Sequence, residues 1–141
     1  KNSALASSTL NNIKKNELLA DLVIDIKKID KELVNSSLHF PVKKVIKKIN
    51  NHLLDKEDWL TFQLHFTNTH AKFFQNLQEK HPELSSNEIK LSAYLKLNLS
   101  TKEIASLMNV AITSVEQSRY RLRKKINLDK DVNLVNYIQK I

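Results

Sequence analysis

Apolar residues recur along the chain at steps of three and four positions, which is the spacing of one face of an α-helix. The clearest run lies within residues 1–35, a segment otherwise rich in lysine, asparagine and acidic residues. Its members are Leu19, Leu22, Ile26, Ile29 and Leu33. Because an apolar stripe on a charged helix needs a partner surface, we predict a long coiled-coil-like helix that mediates dimerisation, with a helix that folds back on its own domain as the alternative.

A second helix is predicted after a break at 35–37, because Pro41 suits the first turn of a helix, where its missing N–H costs no hydrogen bond. The apolar face of this helix consists of Val42, Val45, Ile46, Ile49 and Leu53. Its opposite face carries Lys43, Lys44, Lys47 and Lys48. We interpret these lysines as a solvated helix face, with a phosphate-binding patch as the alternative.

Most of the aromatic residues fall in the next two predicted helices, the first of which has Asp55 as a candidate N-cap. These aromatic residues are Trp59, Phe62, Phe66, Phe73 and Phe74. Aromatic side chains at helical spacing usually form a core. We therefore predict that residues 41–80 form the structural body of this part of the chain.

Two capping-box patterns follow, in which a serine precedes a glutamate by three positions. The pairs are Ser85 with Glu88 and Ser100 with Glu103. The helices predicted from here to the end of the chain cover about 86–97, 101–108, 113–126 and 132–140. A break at 109–111 separates the second of these helices from the third, and this pair has the layout of a helix-turn-helix.

The helix-turn-helix interpretation divides the residues into an inner and an outer set. Those spaced to face inward are Ile104, Ala105, Met108, Val110, Val115, Leu122 and Ile126. The outer face of the longer helix presents Thr113, Glu116, Gln117, Tyr120 and Lys124. The major groove of DNA admits one α-helix whose outer side chains reach the base edges. We therefore predict that this helix is a recognition helix that binds double-stranded DNA.

The outer residues have the chemistry that base recognition requires. Gln117 can pair with adenine, Glu116 can accept a hydrogen bond from cytosine, and Tyr120 can contact a thymine methyl group or a phosphate. A basic flank suited to phosphates is formed by Arg119, Arg121, Arg123, Lys124 and Lys125.

Composition narrows the possible functions of this 141-residue chain, which has no glycine and no cysteine. The missing glycine excludes glycine-rich phosphate loops and disfavours β-hairpins, so the fold is expected to be all-α. The missing cysteine excludes disulfides and thiolate metal sites, which fits a reducing cytoplasm. No segment approaches the about 18 apolar residues of a membrane span. A net charge of +8 favours a polyanionic partner.

The five histidines are scattered, and His65 and His70 lie five positions apart rather than the four of a zinc-binding helix. We therefore predict no metal and no cofactor. No motif places a nucleophile beside a base, so we also predict that the chain is not an enzyme.

The C-terminal part of the chain resembles the LuxR-type helix-turn-helix motif. The matching residues are Leu84, Ser85, Glu88, Leu99–Ala105, Ser114–Glu116 and Lys124–Ile126. The segments ELSSNEIKLSAYLKLNLSTKEIASLMNV and SVEQSRYRLRKKINL are similar to the output domain of Bacteroidetes sensor-regulators with a triple-tyrosine module. Where that motif usually has glycine, this chain has Asn98, and asparagine tolerates the same backbone region.

The resemblance implies the cytoplasmic output part of a membrane-anchored bacterial transcription regulator with a periplasmic sensor. It adds Thr101, Lys102 and Ser114 to the expected DNA contacts, beside Thr113 and the residues after Val115. Where the motif commonly has lysine after that valine, this chain has Glu116.

Three segments are expected: 1–35 as a dimerisation helix, 36–83 as a helical linker body, and 84–141 as a LuxR-type DNA-binding domain. Two other functions stay open. A factor similar to sigma region four would bind core RNA polymerase without stable self-association, whereas a regulator would form a homodimer on an operator. A helical protein-interaction module would show no salt-dependent binding to duplex DNA.

Overall fold

The computed structural model describes residues 2–141, and these residues form eight helices and no β-strand. The helices are α1 (Asn2–Glu32), α2 (His39–Leu53), α3 (Lys56–Thr69), α4 (Phe73–Lys80), α5 (Ser86–Lys96), α6 (Thr101–Met108), α7 (Ile112–Lys125) and α8 (Leu134–Gln139). The predicted all-α fold is thereby confirmed. Among the described residues, no helix is both long and apolar enough to cross a bilayer.

The predicted helix caps are present as hydrogen bonds. Ser85 Oγ accepts from the Glu88 amide at 3.3 Å and Ser100 Oγ accepts from the Glu103 amide at 3.1 Å. In turn, Oε1 of each glutamate accepts a hydrogen bond from the amide of its serine, at 2.8 Å for Glu88 and 2.9 Å for Glu103. Asp55 Oδ1 accepts from the Glu57 amide at 2.9 Å at the start of α3. These local contacts fix where α3, α5 and α6 begin.

Three asparagines replace the glycines that usually end helices. Asn98, Asn109 and Asn127 have φ values of 58°, 52° and 57°, in the left-handed region. In each case the next residue donates its amide to a carbonyl five positions back, as Val110 does to Ala105 at 3.0 Å. This is the Schellman arrangement, which satisfies carbonyls left free at a helix end. Asn98 therefore has the left-handed backbone that asparagine tolerates where the LuxR-type motif usually has glycine.

The chain divides into two compact units, an N-terminal unit of Lys1–Leu64 and a C-terminal unit of His65–Ile141. The boundary between them falls within α3. The predicted division into three functional segments stays a prediction.

In the N-terminal unit, α1 packs against α2. The buried apolar residues of this unit are Leu5, Ile13, Val23, Leu53 and Phe62. Thr9 and Asn16 are buried on the same side of α1. Lys15 forms an ion pair with Asp58 of α3. The inner face of α1 is therefore partly polar.

The predicted dimerisation stripe does not coincide with that inner face. Leu22 and Ile29 are exposed, at 41 % and 57 %, whereas Leu19, Ile26 and Leu33 are partly buried. Val23, which lies outside the stripe, is the buried residue in this part of α1. The stripe is thus only partly covered within the chain, and its pairing with a second chain stays a prediction.

In the C-terminal unit, α5 is the central helix and packs against α7 and α8. Five consecutive residues of α5, 91–95, are buried, so neighbours cover this helix on more than one side. Gln139 of α8 donates to the carbonyl oxygens of Leu95 and Lys96 at 3.1 and 2.7 Å. His81 and Tyr137 are joined by a 2.7 Å hydrogen bond. The short α8 is therefore tied to the end of α5 and to the residue after α4.

An aromatic cluster begins the C-terminal unit. The Phe66 ring centroid lies 5.3 Å from that of Phe73 and 5.1 Å from that of Phe74. Phe66 and Phe73 are fully buried, which agrees with the prediction that the aromatic residues form a core. Trp59 and Phe62 stack in the N-terminal unit, with ring centroids 5.2 Å apart.

Candidate nucleic-acid interface

The α6–turn–α7 segment forms the candidate site, and its inner face is well defined. α6 packs against α7 across the turn at 109–111. Four of the predicted inward residues are at most 5 % exposed, namely Ile104, Ala105, Val115 and Leu122, and Ile126 is 8 % exposed. The start of α7 at Ile112 lies one residue before its predicted start.

Two residues depart from the predicted inner set. Val110 is 44 % exposed and Met108 is partly exposed. The left-handed Asn109 ends α6 and turns the chain before Val110, whose amide is held by the Ala105 carbonyl while its side chain points to solvent. The inward assignment of Val110 is therefore wrong.

The outer face of α7 carries the predicted base-contacting residues together. Those exposed along it are Thr113, Glu116, Gln117, Tyr120, Arg121 and Lys124. Ser114 is partly buried. Glu116, Gln117, Tyr120 and Arg121 line a shallow depression of about 460 Å³. The Lys124 ammonium lies 4.6 Å from the centroid of the Tyr120 ring, within the range of a cation–π contact.

Arg123 makes contacts that its position on α7 does not predict. Its Nη2 donates to the Asp129 carbonyl oxygen at 2.8 Å, and its Nη1 donates to the Val132 carbonyl oxygen. These bonds fasten the loop after α7 to the helix. Arg123 is therefore a loop-holding residue in this structure, and its predicted phosphate contact stays untested.

A cationic cleft lies between α7 and the loop before α8. Arg119, Tyr120, Arg123 and Lys130 line it with residues 131–134, and its volume is about 500 Å³. Lys130 is absent from the sequence-based site because nothing local indicates that the loop folds back beside α7. The contacts of Arg123 produce that proximity.

Lys125 lies one turn after Arg121 on α7, and its side chain reaches α5. Its Nζ donates to Glu88 Oε1 of α5 at 2.8 Å, and the side chains are 37 % and 18 % exposed. Burial raises the pKa of the Glu88 carboxyl, but hydrogen bonds from Lys125 and Ser85 outweigh burial and hold that pKa below its ordinary value. Lys125 therefore braces α7 against α5 in this structure, and its predicted phosphate contact stays untested.

Thr101 and Lys102 form the first turn of α6. Lys102 is exposed and Thr101 is partly buried. Because Lys102 is exposed in the first turn of α6, its side chain can contact a phosphate near the start of that helix.

Among residues 2–141, no group of three or more histidine, aspartate or glutamate side chains is arranged to hold a metal ion. His39 Nδ1 lies 2.7 Å from Asp30 Oδ1. The His70 ring lies against Phe66, with centroids 4.8 Å apart, and its pKa is lowered by burial and by the charge of Lys96. These histidines are thus engaged with neighbours inside each unit.

The chain shows no match to a protein-family model, to a curated protein or to a solved structure.

Proposed function

We propose that the C-terminal unit binds double-stranded DNA with sequence preference, with α7 as the recognition helix in the major groove. The observation that carries this proposal is the orientation of α7. Val115 and Leu122 are 1 % and 0 % exposed, so they fix one face of α7 in the core. Gln117 and Tyr120 consequently face solvent, directly after the turn of a helix-turn-helix.

The dimensions of α7 support this proposal. Its 14 residues make a rod about 21 Å long. The major groove, about 12 Å wide, accepts such a rod, and the first turns of a recognition helix approach the base edges. Thr113, Glu116 and Gln117 lie in those turns of α7.

The charge of α7 supports the same orientation on DNA. After Glu116, α7 has no further acidic residue and carries Arg119, Arg121, Arg123, Lys124 and Lys125. Because Arg123 and Lys125 are engaged inside the unit, Arg119, Arg121 and Lys124 are the α7 cations assigned to the phosphate walls. Lys130 adds a fourth cation beside α7.

The wider proposal follows from the resemblance to LuxR-type output domains. In it, the chain is the cytoplasmic DNA-binding part of a membrane-anchored sensor-regulator and acts as a homodimer through α1. The exposed Leu22 and Ile29 support the dimer, and Leu18 extends their row because it lies one turn from Leu22 and is 60 % exposed.

Selection of bound sequences from a random duplex library tests the main proposal. We expect a recurrent sequence to be enriched, with an affinity that falls steeply as salt rises. Binding of all duplexes with equal affinity would contradict sequence preference. Absence of salt-dependent binding would favour a helical protein-interaction module, and tight binding to core RNA polymerase by a monomer would favour a factor similar to sigma region four.

A further inference from the structure

The turn between α1 and α2 and the first turn of α2 expose three large apolar side chains, which we call the apolar tip. Val34 is 58 % exposed, Leu38 is 56 % exposed and Phe40 is 75 % exposed. Isolated exposed apolar residues are ordinary, but three within seven positions at one turn form a local apolar surface. The DNA-binding proposal gives this surface no role.

Hydrogen bonds hold the backbone of this turn. The Leu33 amide donates to the Asp30 carbonyl at 2.9 Å, and the Ser36 amide donates to the Leu33 carbonyl at 2.8 Å. Ser36 Oγ accepts from the Leu38 amide at 3.1 Å. The apolar side chains are therefore presented outward from an ordered turn.

The surroundings of the apolar tip are strongly cationic. Between residues 27 and 48 the chain has seven lysines and two acidic residues. The lysines are Lys27, Lys28, Lys31, Lys43, Lys44, Lys47 and Lys48, and all of them are exposed. Asp30 Oδ1 lies 2.7 Å from His39 Nδ1, and the Asp30 side chain is only 13 % exposed. Glu32 is thus the one exposed acidic residue in this stretch.

We propose that the α1–α2 turn binds the surface of an anionic phospholipid bilayer. The apolar tip enters the boundary between headgroups and acyl chains, and the lysines of α1 and α2 meet the lipid phosphates. A bilayer is favoured over duplex DNA because DNA would satisfy the lysines and leave Val34, Leu38 and Phe40 in water. In this proposal, the lysine face of α2 binds lipid phosphates and is not merely a solvated helix face.

Vesicle co-sedimentation of the 141-residue chain tests this proposal. We expect binding to vesicles of equal parts phosphatidylglycerol and phosphatidylcholine, and none to phosphatidylcholine alone. Phe40→Ser should weaken that binding by at least about tenfold, because it removes the apolar insertion and keeps every charge. Lys43→Gln and Lys47→Gln should each weaken it by about fivefold. Leu54→Ser, at the other end of α2 and 65 % exposed, is the matched control and should bind as the parent chain does.

A second measurement reports insertion directly. Phe40→Trp in a Trp59→Phe background should show a blue-shifted emission on anionic vesicles and no shift on phosphatidylcholine. Equal binding to both vesicle types would overturn the proposal. Vesicle binding that persists in Phe40→Ser would also overturn the proposal. The same conclusion would follow if Lys43→Gln and Lys47→Gln weakened duplex binding but left vesicle binding unchanged. Failure of this test leaves the DNA-binding proposal untouched, because the latter rests on α7.

Discussion

Lys125 Nζ donates to Glu88 Oε1 at 2.8 Å and so joins the last turn of α7 to the first turn of α5. The same carboxylate oxygen accepts from the Ser85 amide at 2.8 Å in the capping box. One carboxylate therefore caps α5 and holds the proposed recognition helix. The stability of this part of the fold should depend on its ionisation.

The pKa of Glu88 predicts an acid-sensitive contribution to stability. Because this pKa is lower in the folded protein than its ordinary value of 4.5, the contribution is fully present above that pH and is lost as the pH falls through the folded pKa. Glu88→Gln should keep the capping acceptor and remove the charge. Urea denaturation at a series of pH values should show a stability difference between parent and variant at neutral pH that closes under acid. A difference that stays constant across this range would contradict the prediction.

The neighbouring lysines 124 and 125 should have separable roles. Lys124→Gln should weaken binding to every duplex, lower the slope of log affinity against log salt by about 0.9, and leave the melting temperature unchanged, because Lys124 is exposed. Lys125→Gln should lower the free energy of unfolding by up to about 1 kcal/mol through loss of the Glu88 contact, with a smaller effect on DNA binding. Fluorescence anisotropy over a salt series and thermal denaturation measure the two effects. Identical behaviour of the two variants would argue against this division.

The turn of the helix-turn-helix should be sensitive to the residue at position 109. Asn109→Ala should destabilise the protein by about 1 to 2 kcal/mol, because a Cβ without a local hydrogen-bonding group disfavours the left-handed backbone. Asn109→Gly should restore most of that loss. Asn87→Ala, at an exposed position within α5, serves as the control and should cost little. Equal urea midpoints for Asn109→Ala and Asn109→Gly would show that the backbone at this position is not limiting.

The exposed row on α1 should be the dimer contact. Leu22→Asp and Ile29→Asp should shift the chain towards monomer in sedimentation equilibrium, because each places a charge in an apolar interface. Leu54→Asp changes a leucine of the same unit that lies outside that row and is more exposed than Leu22 or Ile29, and it should leave self-association unchanged. A parent chain that is monomeric at high micromolar concentration would remove the basis of this prediction.

Short sequence patterns predicted the helix boundaries well, whereas contacts between residues far apart in the sequence could not be predicted. Ser85 with Glu88 and Ser100 with Glu103 fixed two helix starts because a capping box needs only four consecutive residues. The bonds from Arg123 to the loop after α7 depend on how residues 129–132 fold back, and no local pattern encodes that path.

The assignment of helix faces was reliable only where a helix has one apolar face. On α7, Val115 and Leu122 are separated by seven positions among polar residues, so the buried face is unambiguous. On α1, apolar residues occur on several faces, and Val23 is buried whereas the adjacent Leu22 is exposed. Periodicity alone does not choose between such faces, because the choice depends on which neighbour covers the helix.

Base recognition and phosphate binding should fail differently when the outer face of α7 is altered. Gln117→Ala should weaken binding to the selected sequence by about 1 to 3 kcal/mol and relax base preference there, because it removes a bidentate donor–acceptor pair. Arg121→Ala should weaken all duplexes alike and reduce the salt dependence by about one phosphate contact. Both residues are exposed, so both variants should keep the helical content and melting temperature of the parent chain. Competition binding with single-base variants of the selected site separates the two effects. If Gln117→Ala binds its site normally while Val115→Ser stays folded and alters base preference, the buried and exposed faces of α7 have been interchanged and the proposed site is wrong.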